Sequence, residues 1–256
     1  MLRNNSDDGA RDGRVVRLLE IDPDLGADLD PESLATATTE LLAQVAPLEW
    51  TTNRGRWGPG DTVGYLGLLI VEGLLMREVL LLGSSSAEVL GEGDLLRPWD
   101  VDGEYALPVP AEVAWTVLTP CEVAVLNAPF LRRVARWPEV LSRLIGRTVG
   151  RAKSLALHDA LTNLRHVETR LLVQFWHLAE RWGRVGSTHI SIRVPLTHEM
   201  LAKLVGATRP SVTTALGHLA ARGLLVRDRD GVWHLSREAG EALHPLPVQA
   251  ETRLAT

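Results

Sequence analysis

Apolar residues change their spacing near the middle of the chain. Between residues 48 and 126 they form runs of four to eight residues that glycine, proline and aspartate interrupt, as in VGYLGLLIVEGLLMREVLLLG. Such runs are typical of strands and turns, and several in succession predict a compact antiparallel barrel or sandwich. A short helix is predicted before them, over residues 31–45, where a proline opens the segment. Its apolar positions are Leu34, Leu41, Leu42 and Val45.

Beyond residue 127 the apolar residues follow the period of a helix. Residues 137–161 carry a proline in the first turn, and Gly146 and Gly150 lie four residues apart, which allows two backbones to approach. We interpret this helix as a dimer seam in preference to an intramolecular core helix, because its apolar and small residues recur at steps of three and four. Those residues are Leu141, Leu144, Thr148, Ala152 and Leu155. A second helix is predicted over residues 163–183, with its cap at Gly183.

Two short helices joined by a glycine turn are predicted within LTHEMLAKLVGATRPSVTTALGHLAARGLL, residues 196–225. The first runs over residues 198–205 after a cap at Thr197, and the second follows a cap at Thr208 and reaches Arg222. Three positions match the constraints of a helix-turn-helix: a small residue where the helices cross, a glycine in the turn, and a branched residue that packs the second helix back. They are Ala202, Gly206 and Val212. A hairpin signal follows at Asp230-Gly231, which predicts a winged helix-turn-helix.

The outward face of the second helix predicts DNA binding in preference to a purely structural hairpin. The inner face is apolar, at Val212, Ala215, Leu216 and Leu219, whereas the outer face carries Arg209, small hydroxyls and a glycine. A solvated structural helix usually carries Glu and Lys at such positions. Arginine can hold guanine through two hydrogen bonds, and a threonine methyl can touch thymine. The candidate DNA contacts are Arg209, Ser211, Thr213, Thr214, His218, Thr197 and Thr208.

The charge differs between the two halves of the chain. Residues 1–127 carry 8 Lys and Arg against 22 Asp and Glu, whereas residues 128–256 carry 19 against 10. The net charge of the whole chain is −5, which by itself argues against a nucleic-acid partner. The asymmetry instead predicts an acidic domain joined to a domain that approaches a polyanion.

Composition argues against several kinds of site. Cys121 is the only cysteine, so the chain has no disulfide framework, no thiolate zinc site and no iron–sulfur cluster held by its own thiolates, and we interpret this residue as a small buried hydrophobe. All eight histidines lie from His158 onward, so the first half lacks histidine ligands for a metal. No nucleophile or base accompanies Asp102 and Glu104. We therefore predict no catalytic residues, no metal site, no cofactor and no enzyme activity.

The longest apolar runs are too short for a membrane span, and the N-terminus lacks the layout of a signal peptide. We therefore expect a cytoplasmic protein without a membrane partner.

An acidic glycine-rich β-roll, one long helix and a C-terminal winged helix-turn-helix, in that order, resemble the Crp/Fnr superfamily of bacterial transcription regulators. The segments that carry the resemblance are LGEGDLLRPW at 90–99, CEVAVLN at 121–127 and LTHEMLAKLVGATRPSVTTAL at 196–216. The resemblance implies a homodimer whose long helix forms the interface, a palindromic double-stranded DNA operator and RNA polymerase as a partner. Its function would be sequence-specific regulation of transcription.

This sequence departs from the family pattern in both domains. The recognition helix of the family often opens with Arg-Glu and has a second arginine further on, whereas here Pro210 follows Arg209 and Thr214 stands at the second place. The family's cyclic-nucleotide binders also carry an Arg-Ser pair before the last roll strand, and here that place reads Ala111-Glu112. Because a glutamate repels a phosphate, we do not expect this domain to bind cAMP in the family's manner.

The small-molecule effector is not identified by the sequence, but four residues are candidates for contacting one. They are Arg97, Glu104, Arg143 and Arg147. The last two belong with Arg151 to a basic stripe at four-residue spacing, which we interpret first as a solvated face or as a partner of the acidic domain, and second as a contact for an anionic effector. Two alternatives to a sensor remain: a roll with a vestigial pocket that serves only dimerisation and polymerase contact, and a cupin-like enzyme.

The predicted fold class is α+β. Its predicted segments are a disordered tail over residues 1–13, an antiparallel β-roll resembling a cyclic-nucleotide-binding jelly roll over 14–128, a dimerisation helix region over 129–162, a winged helix-turn-helix domain over 163–243 and a flexible tail over 244–256.

Overall fold

The computed structural model describes residues 14–48, 66–97 and 111–242. The chain divides into two compact units, residues 1–155 and 156–256. The predicted tails over 1–13 and 244–256 and the candidate Glu104 lie outside the described residues. Within the described ranges the first unit holds an antiparallel sheet with helices, and the second combines helices with a small sheet, so the α+β prediction is confirmed.

The first unit is built on a six-stranded antiparallel sheet of order β1-β2-β6-β3-β4, with β5 paired to β3. Its strands are β1 (Arg14–Arg17), β2 (Leu42–Pro47), β3 (Gly67–Leu81), β4 (Ser84–Gly91), β5 (Leu95–Leu96) and β6 (Glu112–Leu126). Its helical segments are α1 (Leu18–Ile21), a 3-10 helix (Pro23–Gly26), α2 (Pro31–Glu40), α3 (Ala128–Val134) and α4 (Pro138–Thr162), which continues into the second unit.

The predicted helix over residues 31–45 is wrong in its C-terminal part. The side chain of Asp30 caps α2, which ends at Glu40, and residues 42–47 form β2. In this strand Val45 is paired with Arg14 of β1 and with Ala124 of β6, and its side chain is buried. Pairing on both sides and burial outweigh a local helical pattern, because intrinsic propensity is worth only a few tenths of a kcal/mol per residue.

The central strands are longer than the sequence pattern predicts. β3 and β6 each span 15 residues, although the apolar runs between glycines are four to eight residues long. Gly73 lies inside β3 with a φ of 90°, where the register with β6 shifts repeatedly. This glycine therefore marks a bulge in a continuous strand and not a turn between two strands.

The first helical turns of α4 belong to the core of the first unit. Val140 and Leu144 are fully buried in a cluster with Phe130 and strand residues, and Leu141 packs against the same cluster. The predicted dimer seam is therefore wrong at Leu144, and Leu141 is partly buried against the same cluster. The sequence pattern shows that this helix has an apolar side, but packing against the sheet decides which of its apolar residues enter the core.

A different set of apolar residues on α4 stays exposed in the single chain. Ile145 is 50% exposed and Val149 is 48% exposed. Ala152 is one turn further on and is also exposed. Apart from the adjoining stretch of the same helix, no described residue has an atom within 4 Å of a methyl group placed on Gly146 or Gly150. These residues form one face, since positions three and four apart on a helix are neighbours. We call Ile145, Val149 and Ala152 the outer stripe.

Three arginines attach α4 to the rest of the first unit. Arg143 binds Asp28 through two nitrogens at 2.5 and 2.7 Å, and Arg147 holds both oxygens of Asp22 at 2.9 Å. Arg151 binds Glu88 of β4 at 2.6 and 3.1 Å. We call these three pairs the arginine ladder. They agree with the interpretation of the basic stripe as a partner of the acidic domain.

Burial and ion pairing act in opposite directions on the carboxylates of the ladder. Burial raises the pKa of Glu88, but the hydrogen bonds and charges of Arg151 and Arg77 outweigh it and hold this pKa below its usual value. For Asp22 burial prevails over Arg147, and the pKa is raised. The Glu88 carboxylate therefore stabilises the folded state above the pKa of the unfolded chain, and that contribution is lost as pH falls through the folded-state pKa.

In the second unit, α5 (Val167–Trp182) packs against a four-stranded antiparallel sheet of order β7-β8-β10-β9 and against α7. The strands are β7 (Gly183–Val185), β8 (His189–Ile192), β9 (Leu225–Arg227) and β10 (Trp233–Ser236). The remaining helices are α6 (His198–Leu204), α7 (Arg209–Ala221) and α8 (Ala239–Ala242). The predicted hairpin is present as β9 and β10, whereas the sequence pattern did not reveal β7 and β8.

The turn between α6 and α7 depends on Gly206. Its φ is 58°, in the left-handed region that favours glycine, and a methyl group placed there would lie 3.2 Å from the Thr162 Cγ2. The predicted turn glycine therefore has both a conformational and a steric reason. No helix among the described residues is long and apolar enough to span a bilayer.

We expect Glu88→Gln to lower the free energy of unfolding at pH 7 by about 3 kcal/mol, because it leaves two largely buried arginines without their carboxylate. The variant should also lose stability less steeply than the wild type between pH 5 and 3, a range set by the usual value near 4.5 and the downward shift of the pKa. Urea unfolding followed by circular dichroism at several pH values measures both effects.

The matched control is Glu20→Gln, which removes the same charge from an ion pair whose side chains are 52% and 56% exposed. This control should change the free energy of unfolding by less than about 0.5 kcal/mol. Equal losses of stability in the two variants would contradict a structural role for Glu88.

Candidate nucleic-acid interface

Both helices of the helix-turn-helix begin at threonine caps. The Thr197 hydroxyl accepts a hydrogen bond from the Met200 amide at 3.2 Å, and the Thr208 hydroxyl accepts one from the Ser211 amide at 3.4 Å. Thr208 Oγ1 and Ser211 Oγ also lie 2.9 Å apart. These three predicted DNA contacts therefore have a structural task at the helix starts, and their side chains are exposed beside it.

Burial divides α7 into two faces. Val212 and Leu219 are fully buried, and Ala215 and Leu216 are less than 10% exposed, as the spacing predicts. The opposite face consists of exposed residues. They are Arg209, Ser211, Thr213, Thr214, Gly217 and His218. The structure thus brings together on one helix five of the seven predicted DNA contacts; Thr208 caps that helix, and Thr197 caps α6.

One hydrogen bond ties the outer face of α7 to α6. The Thr213 hydroxyl donates to the Arg209 carbonyl at 3.0 Å, and His198 Nδ1 lies 2.9 Å from the same hydroxyl oxygen. His198 is the first residue of α6. The sequence did not point to His198, because a pair 15 residues apart across a turn leaves no periodic signal.

A second contact links α7 to α5. His218 Nδ1 lies 2.7 Å from Glu168 Oε1, and Arg222 is 3.6 Å from the other oxygen of this carboxylate. The His218 side chain is 63% exposed, so this contact leaves most of the ring accessible. Glu168 fixes the position of His218 at the C-terminal half of α7, and the sequence carried no indication of this role.

The wing turn between β9 and β10 is organised by Asp228. Its carboxylate accepts hydrogen bonds from the amides of Asp230 and Val232 at 3.0 and 2.9 Å, and His234 Nε2 lies 2.8 Å away. The hydrogen bond with His234 is the main cause that lowers the pKa of Asp228. Arg229 at the tip is exposed. The Asp228 carboxylate is therefore engaged by hydrogen bonds within the wing turn, and the neighbouring Arg229 is exposed.

Three of the four effector candidates lie among the described residues of the first unit, and each of these is engaged with protein groups. Arg97 donates to the Leu66 carbonyl at 3.1 Å, and Arg143 and Arg147 belong to the arginine ladder. Glu112 opens β6 with an exposed side chain. Within the described ranges no group of three or more His, Cys, Asp and Glu is arranged to hold a metal ion. The Cys121 thiol is buried, and burial together with Glu72 and Glu122 raises its pKa to about 12.

The second unit matches a known domain family. Residues 169–239 match the model of the Crp-like helix-turn-helix domain. The regulatory protein CysR of Synechococcus elongatus is 37% identical over 71 residues, which are 27% of this chain and 34% of CysR. The CRP-like cAMP-activated global transcriptional regulator of Mycobacterium tuberculosis is 29% identical over 132 residues, 50% of this chain and 59% of that protein. The chain thus spans about a third and somewhat over half of the lengths of these two relatives.

Solved structures share the fold of most of the chain. FixK2 from Bradyrhizobium japonicum has a TM-score of 0.58 at 18% identity and covers 80% of this chain and 98% of its own. A cyclic nucleotide-binding domain containing protein from Listeria monocytogenes EGD-e has a TM-score of 0.60 at 18% identity and covers 86% and 99%. Residues 169–239 therefore form a Crp-like helix-turn-helix domain, and the chain shares its fold with these solved structures.

Proposed function

We propose that this chain is a sequence-specific DNA-binding transcription regulator that acts as a homodimer. The observation that carries the proposal is the outer face of α7, which presents Arg209, hydroxyl groups and a glycine and has no carboxylate along residues 209–221. A helix of this kind fits the major groove, where bulky or acidic side chains would clash with base edges or repel phosphates. The two relatives, a regulatory protein and a transcriptional regulator, support the same function.

The charge of the second half supports contact with a polyanion. Residues 128–256 carry 19 Lys and Arg against 10 Asp and Glu, although the chain as a whole is acidic. Arg209 at the start of α7, Arg222 at its end and Arg229 at the wing tip are exposed. Contacts from such side chains to phosphates supply affinity, whereas base edges in the groove supply specificity.

We expect Arg209→Ala to remove base discrimination at one position of each half-site, at a cost of about 1 to 3 kcal/mol for each arginine–guanine pair that the variant cannot form. Arg209→Lys is the matched control for charge, because lysine keeps the cation but lacks the two-pronged hydrogen bonding of a guanidinium. Competition binding with the preferred operator and with random duplex should show both variants losing specificity, and only the alanine variant losing affinity for random DNA. Unchanged specificity in folded variants would reject Arg209 as the base-reading residue.

The proposed dimer interface is the outer stripe of α4. Ile145 and Val149 are half exposed in the single chain, and the two glycines beside them leave open space above the helix. The opposite side of the helix is occupied by core packing and the arginine ladder. A second copy of α4 would bury the stripe, and each dimer would then carry two copies of α7 for two half-sites of a palindromic operator about one helical turn apart.

We expect Val149→Glu to shift the protein to a monomer at micromolar concentration, because a carboxylate in the centre of an apolar helix seam is desolvated without a partner. Leu82→Glu is the control, since it makes the same change at a β3–β4 hairpin residue that is 91% exposed. Sedimentation velocity measures the association state. Wild type that sediments as a monomer with and without operator DNA would contradict the proposed dimer.

The first unit is proposed to act as an effector domain that does not use the cAMP mode of the family. A buried cyclic phosphate needs a fixed cation and backbone donors in place of its hydration. At the aligned place before the last strand the chain offers Ala111 and an exposed Glu112, and the guanidiniums of Arg143 and Arg147 already bind carboxylates. Cyclic-nucleotide binders of the family also carry a Gly-Glu pair after the roll turn; here that place reads Arg97-Pro98, and Pro98 lies outside the described residues.

Calorimetric titration of the dimeric protein with cAMP and with cyclic GMP should therefore show no saturable binding with a Kd below about 10 μM, which corresponds to roughly 7 kcal/mol. Tighter saturable binding of either nucleotide would mean that another cation holds the phosphate, and it would contradict this part of the proposal.

A β-roll with a vestigial pocket that serves only dimerisation and contact with RNA polymerase is the second candidate for the first unit. The use of three arginines in the ladder favours it, since these cations are occupied by the protein's own carboxylates. Thermal-shift screening of nucleotides and metabolites distinguishes a sensor, which some compound stabilises, from a vestigial roll. A cupin-like enzyme has less support, because all eight histidines lie from His158 onward. We further propose a cytoplasmic location, as for other regulators that act on DNA.

A further inference from the structure

The most specific feature of the proposed DNA face is the arrangement of Thr213. We propose that His198 and the Arg209 carbonyl hold the Thr213 hydroxyl so that the residue presents its methyl group to DNA, and that the protein thereby selects a thymine in each half-site through the thymine C5-methyl. His198 is in this view a positioning residue and Thr213 is the specificity-determining contact. The inference rests on the proposed function, since it requires α7 to lie in the major groove.

The hydrogen bonds account for both roles of the Thr213 hydroxyl. A carbonyl oxygen can only accept, so the contact of 3.0 Å with the Arg209 carbonyl takes the single hydroxyl proton. The hydroxyl oxygen must then accept in its contact of 2.9 Å with His198 Nδ1, which fixes the proton of the imidazole on Nδ1. The hydroxyl therefore has no proton left to donate to a base.

The side chain of Thr213 is fixed in rotation by the same two contacts. A threonine carries its hydroxyl and its methyl on one tetrahedral carbon, so the two groups occupy different staggered positions. Turning the hydroxyl toward the groove would break both hydrogen bonds. Because Thr213 is exposed and its oxygen faces two protein groups, the methyl is the part of the side chain that an incoming base meets.

The neighbouring Thr214 provides an internal comparison. It is also exposed on the outer face of α7, but among the described residues its hydroxyl has no hydrogen bond. Its hydroxyl can rotate and can donate to or accept from base edges, so Thr214 has no preference for a methyl group. The two threonines are therefore predicted to read DNA differently, although the sequence alone presents them as equivalent.

The chemistry of the DNA major groove identifies the group that the Thr213 methyl would contact. Thymine is the standard base that carries a methyl group at C5 in the major groove, and apolar side-chain groups contact it there. Burial of one methyl is worth about 0.8 kcal/mol, which is about fourfold in affinity for one half-site and roughly 15-fold for both. Uracil pairs like thymine and lacks only this methyl, so it removes the contact without other change.

The test begins with the operator that the wild-type protein selects from a pool of random duplexes. Each thymine of this operator is then replaced by uracil in both half-sites, and the Kd is measured by fluorescence anisotropy. We expect one symmetric thymine position at which uracil weakens binding by roughly 15-fold. Thr213→Val should keep this uracil penalty because valine retains a methyl at the same carbon, and Thr213→Ser should abolish it because serine has none.

Two further variants separate positioning from folding. Thr214→Ser, the matched control, should leave the uracil penalty in place. His198→Ala frees the Thr213 hydroxyl and should reduce the penalty, whereas the double variant His198→Ala/Thr213→Val should restore it, since valine has no hydroxyl that needs fixing. A role of His198 in stability alone predicts no such restoration. Thermal unfolding of each variant establishes that the second unit is folded.

The outcomes distinguish the inference from the function on which it rests. A wild-type protein that selects an operator and binds it tightly, but shows no uracil penalty at any thymine, overturns the inference and leaves the proposed function standing. A penalty that survives Thr213→Ser overturns it as well. A folded dimer that enriches no sequence and binds no duplex overturns the proposed function together with the inference.

Discussion

The arginine ladder between α4 and the sheet of the first unit is the constraint on which much of the arrangement depends. Three guanidiniums at four-residue spacing meet three carboxylates that come from the segment after α1, the loop before α2 and strand β4. The pairs of Arg143 with Asp28 and of Arg151 with Glu88 each join two nitrogens to two oxygens, which fixes orientation as well as distance. They agree with the rotation of α4 that packing against the sheet selects, with Leu144 in the core and Val149 outside.

The ladder contributes more to geometry than to net stability. The pair of Arg143 with Asp28 is largely exposed, and such pairs are worth little in water. Asp22 and Glu88 are mostly buried, and the cost of removing charges from water offsets much of their attraction to arginine. The raised pKa of Asp22 reflects that cost. What the pairs provide is a preference for one rotational setting of α4, because turning the helix would separate each guanidinium from its carboxylate.

In the second unit, packing and the proposed recognition of DNA use opposite faces of one helix, α7. The buried face of α7 holds the helix against α5 and α6, and the exposed face consists of small residues, one histidine and one arginine. Hydrogen bonds to neighbouring helices then distinguish residues of that exposed face. His198 fixes Thr213, and Glu168 fixes His218, whereas Thr214 and Arg209 keep more freedom. Specificity under the proposed function would thus depend on residues outside the recognition helix as well as on those within it.

The sequence by itself determined the elements whose signals are local. The caps at Thr197 and Thr208, the turn at Gly206, the apolar face of α7 and the Asp230-Gly231 hairpin all follow from nearby residues, because capping, left-handed glycine and helical periodicity act within a few positions of the chain. Tertiary structure decided what depends on partners far along the chain. Only the sheet made a strand of residues 42–47, directed Leu144 into the core and left Val149 exposed, and only the packing of α6 on α7 turned the Thr213 hydroxyl toward His198. These outcomes rest on burial and hydrogen bonding between distant segments, and the spacing of residues along the chain does not reveal such contacts.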